Sequence, residues 1–304
     1  MQYKFVPPPK RKPLIWPNGK RLVIQVTLNL EYWDMVKEGS EPYYAGGPPA
    51  LPDPMPGNIL DVPNYSWREY GQRSGIWRLL DTFDEAGVPS SCTLNAKLCL
   101  ERREIVEAVK ERGWELVCHN YEQGDLLTNY QSDPVAEEAL IDSALQVYQE
   151  AVGKKSPGWL SSSLRSTPNT PEIIAKKGMK FICDYMNDEQ PYIMDTRYGS
   201  IVAIPYSIEV NDFGFFLRRN FTTTQTLEML KEQFDQLYEE SKITGKLMSV
   251  GLHPHVSGHP FRIRAIRDFL KYVKTFDDVW WASREEIADW YLENHKTHIP
   301  NSNT

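Results

Sequence analysis

The sequence lacks the long apolar segments of membrane and secreted proteins. No stretch approaches the roughly 20 consecutive apolar residues that a transmembrane helix requires. The opening segment, MQYKFVPPPKRKPLIWP, has no uninterrupted apolar core of the kind found in signal peptides. From these absences we expect a soluble, cytoplasmic protein without a membrane partner.

Paired cysteines are also missing. The chain has four cysteines, none in a Cys-x-x-Cys spacing and most of them inside apolar runs: Cys92, Cys99, Cys118 and Cys183. Small buried thiols of this kind are typical of a reducing compartment, and their scatter disfavours a zinc or redox role.

Basic runs are scarce as well. The short PKRKP near the start is the one such run, and the formal net charge is -7. An acidic chain of this kind is a poor match for nucleic acid as the main partner, and a small-molecule substrate suits it better. With 304 residues, 41% of them apolar, the chain can bury one substantial core. We expect a single catalytic domain over 1–304.

What the sequence does contain is an alternation of apolar, strand-like runs with amphipathic helical patterns. It extends from RLVIQVTLNLEYW at 21–33, through WELVCHN at 114–120, to DVWWAS at 278–283. This is the order of parallel strands joined by helical crossovers, and it predicts an α/β fold, a distorted (β/α) barrel of about seven strands. The Pro- and Gly-rich segment 34–66 interrupts the alternation and is predicted to be an inserted lid or subunit contact.

Polar residues gather where the predicted strands end, which is the edge at which barrel enzymes carry their chemistry. The first strand ends in Asn29 and Glu31, which are two apart and therefore share a face. The other strand ends add His119, Tyr121, Gln123, Arg165, Asp184, Asn187, Asp188, Gln190, Asn211, Asp212, His253, His255 and His259. Four of the six histidines lie at two of these ends, which indicates an active site.

Several of these candidates also have a purely structural interpretation, and Glu31, for example, could be a surface carboxylate beside Tyr32 and Trp33. His119 could be a core histidine that donates to a backbone carbonyl. Arg165 could bridge carboxylates, or it could orient one carboxylate or a substrate oxygen. The residue type alone leaves both alternatives open.

The remaining histidines are harder to interpret. His253 and His255 alternate like a zinc pair on one strand face, but Pro254 between them disfavours a regular strand. His295 and His298 are expected on a frayed surface tail.

Seven motifs in order then allow a comparison with known families. They are LNLE, YGQRSGIWRLLDTF, GWELVCHN, GW followed by RSTPNT, CDYMNDEQPY, IPYSIEVND and GLHPHVSGHPFR. Together they resemble the polysaccharide deacetylase (NodB-type) superfamily, and within it the branch of the bacterial metal-independent allantoinases and cyclic imide hydrolases. The resemblance extends from about Trp16 to Trp290 and implies the family's distorted β/α barrel.

The resemblance also exposes departures from the deacetylase pattern. Deacetylases carry two aspartates on the first strand, where this chain has Asn29 and Glu31. Their His-x-x-x-His metal clamp corresponds to His119 and Gln123. An amide cannot act as a base near neutral pH, and it is a far poorer zinc ligand than imidazole. The allantoinase branch shares Asn-x-Glu, so no cofactor is certain, and a zinc ion bound by Glu31, His119 and Gln123 stays open.

By this resemblance, the chain is a hydrolase that cleaves a C–N bond in a small amide, cyclic imide or ureide. Glu31 would be the base or, if a metal is present, a ligand together with His119. The acid that protonates the leaving nitrogen would be His253, while Arg165 would hold the substrate or orient Glu31. Substrate contacts are predicted for Asn29, Tyr70, Arg73, Trp77, Asp188, Gln190 and Asn211.

Two other functions stay open at this point. One is a metal-dependent N-deacetylase of a sugar or polysaccharide. The other is a catalytically silent, ligand-binding barrel, suggested by the missing aspartate at Asn29 and the missing histidine at Gln123. Since relatives in this branch form oligomers, we expect a homo-oligomer, with 34–66 as a candidate contact.

Overall fold

The computed structural model describes residues 3–34, 55, 59 and 61–299. The predicted insertion at 34–66 therefore lies for the most part outside the described residues.

Nine strands of the described chain form one curled sheet. They are β1 Leu22–Leu30, β2 Ser91–Leu94, β3 Glu115–Cys118, β4 Gly158–Trp159, β5 Phe181–Ile182, β6 Tyr192–Thr196, β7 Gly199–Ala203, β8 Lys246–Leu252 and β9 Val279–Trp281. The order is β6-β7-β5-β4-β3-β2-β1-β8, with β9 paired to β1. All pairs are parallel except β6 with β7. The predicted α/β distorted barrel is confirmed, with eight strands along the path of the sheet.

Ten α-helices alternate with these strands in the described residues. They are α1 Val62–Tyr70, α2 Ile76–Ala86, α3 Ala96–Glu101, α4 Arg103–Glu111, α5 Pro134–Val152, α6 Thr170–Lys176, α7 Thr223–Glu240, α8 Pro254–Ser257, α9 Ile263–Val273 and α10 Arg284–His298. A π-helical turn, Gly71–Gly75, joins α1 to α2. None of these helices combines the length and the apolar character that crossing a bilayer requires.

The central strand β1 explains why the site forms where it does. Every residue of β1 is buried, as expected for a parallel strand that is covered on both faces. Its last residues pair with the end of β2, and Leu28 pairs with Leu252 at the end of β8. The carboxyl ends of three strands thus meet at one edge, and Glu31 and His253 follow directly after two of them.

One predicted strand differs from the structure. The apolar run GSIVAIPYSIEVND at 199–212 predicts one continuous strand, but the strand ends at Ala203, two residues before Pro205, which has no N–H for a ladder. The segment Tyr192–Thr196, which was not predicted as a strand, pairs antiparallel with β7 at the edge of the sheet. Its second half is partly exposed and polar, so its hydrophobic pattern is weak.

The expectation of a frayed C-terminal tail was wrong. His295 and His298 lie within α10 and are 5% and 1% exposed. Nδ1 of His298 faces the Tyr291 hydroxyl at 2.9 Å, and its Nε2 faces Oε1 of Gln190 at 3.2 Å. Burial lowers the pKa of His298 to about 4, so the ring is neutral and belongs to the packed interior.

Candidate active site

A cavity of about 330 Å³ opens at the carboxyl edge of the sheet. Its lining includes seven residues predicted from the sequence: Asn29, Glu31, His119, Gln123, Arg165, Asn211 and His253. They lie at or beyond the ends of β1, β3, β4, β7 and β8, and only the curl of the sheet brings them around one space. A concave site of this size suits a small molecule.

Glu31 occupies the middle of this site, with its carboxylate between two imidazole rings. Its Oε1 is 3.8 Å from Nε2 of His119 and 3.6 Å from Nε2 of His253. The three side chains are between 3% and 8% exposed. A carboxylate and two imidazoles therefore face one point that is largely shielded from bulk water, where their electrostatic effects on a bound substrate are strongest.

His119 is oriented by the backbone. Its Nδ1 lies 2.6 Å from the carbonyl oxygen of Leu160, which can only accept a hydrogen bond. The Nδ1 atom therefore carries the proton, and Nε2 is directed at Glu31. Both interpretations of His119 from the sequence hold at once, since the ring donates to a carbonyl and also lines the cavity.

His253 is held by Asp212, a strand-end residue to which sequence reasoning assigned no role. The ring Nδ1 lies 2.6 Å from Oδ1 of Asp212, and the backbone N–H of His253 donates to Oδ2 at 2.6 Å. Burial by itself lowers the pKa of His253, but the carboxylates of Glu31 and Asp212 outweigh it and raise the pKa above its usual value. A protonated ring near neutral pH is what a general acid requires.

Several known proteins are similar to this chain in fold and sequence. No family model matches the chain. The crystal structure of a probable polysaccharide deacetylase from Pseudomonas aeruginosa PAO1 has a TM-score of 0.80 and 29% identity, and it covers 92% of this chain and 94% of its own. The PuuE allantoinase structure has a TM-score of 0.81 and 27% identity, over 92% and 93% of the two chains.

A relative is also similar in sequence over nearly its whole length. A Schizosaccharomyces pombe protein that carries a provisional polysaccharide deacetylase name is 27% identical, over 92% of this chain and 93% of its own. This chain is similar in sequence and fold to members of the polysaccharide deacetylase superfamily. The predicted resemblance is confirmed at that level, and the allantoinase is among its structural neighbours.

The residues present do not fit the metal site that is typical of deacetylases in this superfamily. The described residues contain no group of three or more His, Cys, Asp or Glu side chains arranged to hold a metal ion. Glu31 and His119 supply two donors, but the third candidate, Gln123, has an amide that donates to Oγ of Ser163 at 3.4 Å. An amide oxygen is a weak zinc ligand.

His255 does not form a strand pair with His253. The chain turns into α8 at Pro254, and the two rings are 5.9 Å apart at an angle of 74°. The ring of His255 packs edge-on against Trp33 and Trp67, with centroids 5.0 and 4.7 Å away. Burial lowers the pKa of His255 well below its usual value, and the positive charges of His253 and Arg68 lower it further.

Tyr206 is a cavity residue that the sequence analysis missed. Its hydroxyl oxygen accepts from the side-chain amides of Asn29 at 3.1 Å and Asn211 at 3.2 Å. With both lone pairs used, its hydrogen is left to donate to a bound group. Gly251 makes this possible, because a Cβ there would lie 2.1 Å from the hydroxyl. The motif IPYSIEVND carried the residue, but a tyrosine in an apolar run gives no functional signal.

Two arginines lie at the rim of the cavity. Arg165 and Arg218 both line it and both are exposed. Neither forms an ion pair with another residue in the described part of the chain, and Glu31 contacts the two histidines instead. The position of Arg165 therefore suits contact with a substrate better than orientation of Glu31.

The other predicted substrate contacts lie away from this cavity. The ring of Tyr70 stacks on His259 at 4.2 Å, while Arg73 and Trp77 are exposed on the same helical segment. Asp188 and Gln190 bind the guanidinium group of Arg11, each at 2.9 Å. Within one chain, none of these five residues lines the cavity that contains Glu31. Tyr70, Arg73 and Trp77 lie on another surface, and Asp188 and Gln190 bind the N-terminal segment through Arg11.

Proposed function

We propose that this protein hydrolyses a C–N bond in a small amide, cyclic imide or ureide. The observation that carries the proposal is the carboxylate of Glu31 between two imidazole rings at the base of a 330 Å³ cavity. Hydrolysis of C–N bonds other than peptide bonds is the class to which the deacetylase and allantoinase relatives both belong. The finer choice of substrate is our inference.

The arrangement supplies each step of such a hydrolysis. Glu31 takes a proton from water, and the water oxygen bonds to the carbonyl carbon. The hydroxyl of Tyr206 can donate to the oxyanion that forms. His253, held by Asp212, gives its proton to the nitrogen, the C–N bond breaks, and the products are an acid and an amine or amide.

The electrostatics of the site support a small, polar substrate. The arginines at the rim, Arg165 and Arg218, offer two guanidinium groups to a carbonyl or carboxylate oxygen. Five apolar side chains, Leu160, Leu164, Met186, Ile208 and Phe213, complete the wall. A cyclic imide or ureide combines polar edges with a compact body and so matches this lining. It is also activated relative to a simple amide, which suits a site without a strong Lewis acid.

We also propose that the protein is located in the cytoplasm. The four cysteines are free and buried, and burial raises the pKa of each thiol; unpaired, unreactive thiols support a location in the reducing cytoplasm. We also propose that the chain is a single catalytic domain that assembles into a homo-oligomer.

A hydrolysis screen tests the function. Purified protein is incubated with hydantoins, cyclic imides, allantoin and N-acetyl sugars, with the Glu31→Gln variant as the matched control. We expect turnover of a cyclic imide or ureide by the wild type, and a loss of orders of magnitude in the variant. Chelator-sensitive release of acetate from an N-acetyl sugar would support the N-deacetylase instead. No turnover of any compound would support a silent, ligand-binding barrel.

A further inference from the structure

A second, much smaller cavity lies beside Glu31. Its volume, about 10 Å³, is room for roughly one water molecule. Its lining comes from the end of β1 and Trp33, the π-helical turn and the start of α8, and it is completed by Arg68 of α1 and by apolar residues of α2, α3 and α4. Nothing in the hydrolysis proposed above uses this space.

Three side chains that line this cavity each have a buried polar atom without a hydrogen-bond partner. The atoms are Oε2 of Glu31, Oε1 of Gln72 and Nε2 of His255. Buried polar atoms in folded proteins are almost always paired with protein or with ordered water. Three residues that line one water-sized space and each carry an unpaired polar atom therefore point to a ligand that satisfies all three atoms.

We propose that this cavity binds a single ordered water molecule, which holds the carboxylate of Glu31 in place from behind. Oε2 of Glu31 and Oε1 of Gln72 are hydrogen-bond acceptors, and a water molecule has two hydrogens to donate, one to each. Its own oxygen then accepts from the Nε2–H of His255. The site matches the water in number, type and size.

The charge state of His255 agrees with this arrangement. The ring is 2% exposed, and burial holds its pKa well below the usual value. A neutral imidazole has one N–H, and an N–H at Nε2 completes the set of bonds. The rings of Trp33 and Trp67 fix its orientation.

The site explains why the π-helical turn contains two glycines. A Cβ on Gly71 would lie 2.5 Å from the backbone nitrogen of His255, and one on Gly75 would lie 2.0 Å from the carbonyl oxygen of Pro254. The glycines thus let the turn approach α8 closely. Gln72 is then able to donate from Nε2 to the backbone oxygen of Glu31 at 3.0 Å. The motif YGQRSG, which contributes nothing to the large cavity, supports Glu31 through this contact and the water.

The consequence for catalysis rests on the proposed function. If Oε2 is held by the water, Oε1 is left to face His119, His253 and the substrate. Gln72 and His255 are therefore positioning residues. They act on the rate of the chemical step and not on substrate affinity.

A crystal structure at about 1.5 Å tests the site independently of activity. We expect one spherical density peak within about 3.2 Å of all three atoms. The peak should persist in the His255→Gln variant, which retains an amide donor, and disappear in His255→Phe. No peak in the wild type would overturn the proposal. A peak that depends on ammonium or sodium salts would also overturn it, because the ligand would then be a cation.

Kinetics test the positioning role on whichever substrate the screen identifies. We expect His255→Phe to lower kcat about 10- to 100-fold with KM unchanged, the loss typical of residues that orient a reacting group. His255→Gln should recover most of it, and Ser74→Ala, on the same turn, should match the wild type. If His255→Phe does not fold, Gln72→Met serves the same purpose. A rise in KM with unchanged kcat would refute the positioning role.

Discussion

Oδ1 of Asp212 lies 2.6 Å from Nδ1 of His253, and Oδ2 of the same carboxylate accepts from the backbone of His253 and from Oγ of Ser257. This contact fixes both the tautomer and the direction of the ring. Its Nε2 consequently faces Glu31 at 3.6 Å. Together with the carboxylate of Glu31, Asp212 raises the pKa of His253, which makes the ring suitable as an acid.

Replacing Asp212 tests this relationship. Asp212→Asn removes the charge that stabilises the protonated ring, so we expect kcat to fall by about 10²- to 10⁴-fold. The Ser257→Ala variant removes only one donor to the carboxylate and should lose far less. Steady-state kinetics with the substrate from the screen give the answer, and equal losses in both variants would contradict the role of Asp212.

The pH dependence of the reaction follows from the same contact. His253 acts when protonated, and its pKa is raised, so kcat/KM should fall as pH rises through that pKa. Without the negative charge of Asp212 the pKa drops, and the alkaline limb should move to lower pH in Asp212→Asn. A pH–rate profile of the two proteins measures the shift. An unchanged or opposite limb would show that another group titrates there.

The metal question can be tested at Gln123. Since an imidazole is a far better zinc ligand than an amide, Gln123→His should bind zinc much more tightly than the wild type. Metal analysis after dialysis against micromolar zinc measures the difference. Equal, stoichiometric zinc in both proteins would mean that the native donors suffice.

The rim arginines predict a difference in substrate affinity. Arg218→Gln should raise KM about 2- to 5-fold with little change in kcat, because an exposed charge contributes up to about 1 kcal/mol. Arg219→Gln is the matched control, since Arg219 binds Glu209 and does not line the cavity. A larger effect of the control would place the relevant charge outside the rim.

The raised pKa of Asp184 predicts how the stability of the protein changes with pH. Burial raises the pKa of Asp184 from 3.8 to about 6, although two hydrogen bonds from Ser161 oppose the change. Between pH 4 and 6 the folded state keeps a proton that the unfolded state loses. The free energy of unfolding therefore falls as pH rises, by about 3 kcal/mol in all.

The variant Asp184→Asn isolates this effect. It should lose less stability than the wild type between pH 4 and pH 7 in urea denaturation. The control is Asp195→Asn, an exposed edge carboxylate that accepts from Ser200. Parallel curves for wild type and Asp184→Asn would refute the assignment.

Much of the fold and part of the site could be predicted from the sequence. The fully apolar run of β1, the glycine that ends α2 and the alternation of strands with helices depend on local pattern, and the barrel follows from them. Glu31, His119 and His253 could be selected because each directly follows a buried strand. Local pattern failed at Tyr192–Thr196, where the edge strand is partly polar.

Only the tertiary structure decided which polar residues meet. Asp212 lies 41 residues from His253 and Tyr206 lies 177 residues from Asn29, so these hydrogen bonds depend on which strand ends are neighbours. Asp188 and Gln190 looked like strand-end site residues, yet they bind Arg11 because the N-terminal segment packs there. Burial and hydrogen bonding are properties of the folded surface around a residue, whereas the sequence carries only its type and its place in a strand. The sequence by itself thus determined the barrel and the edge that carries the candidate site, and the curl of the sheet determined the partners of each side chain.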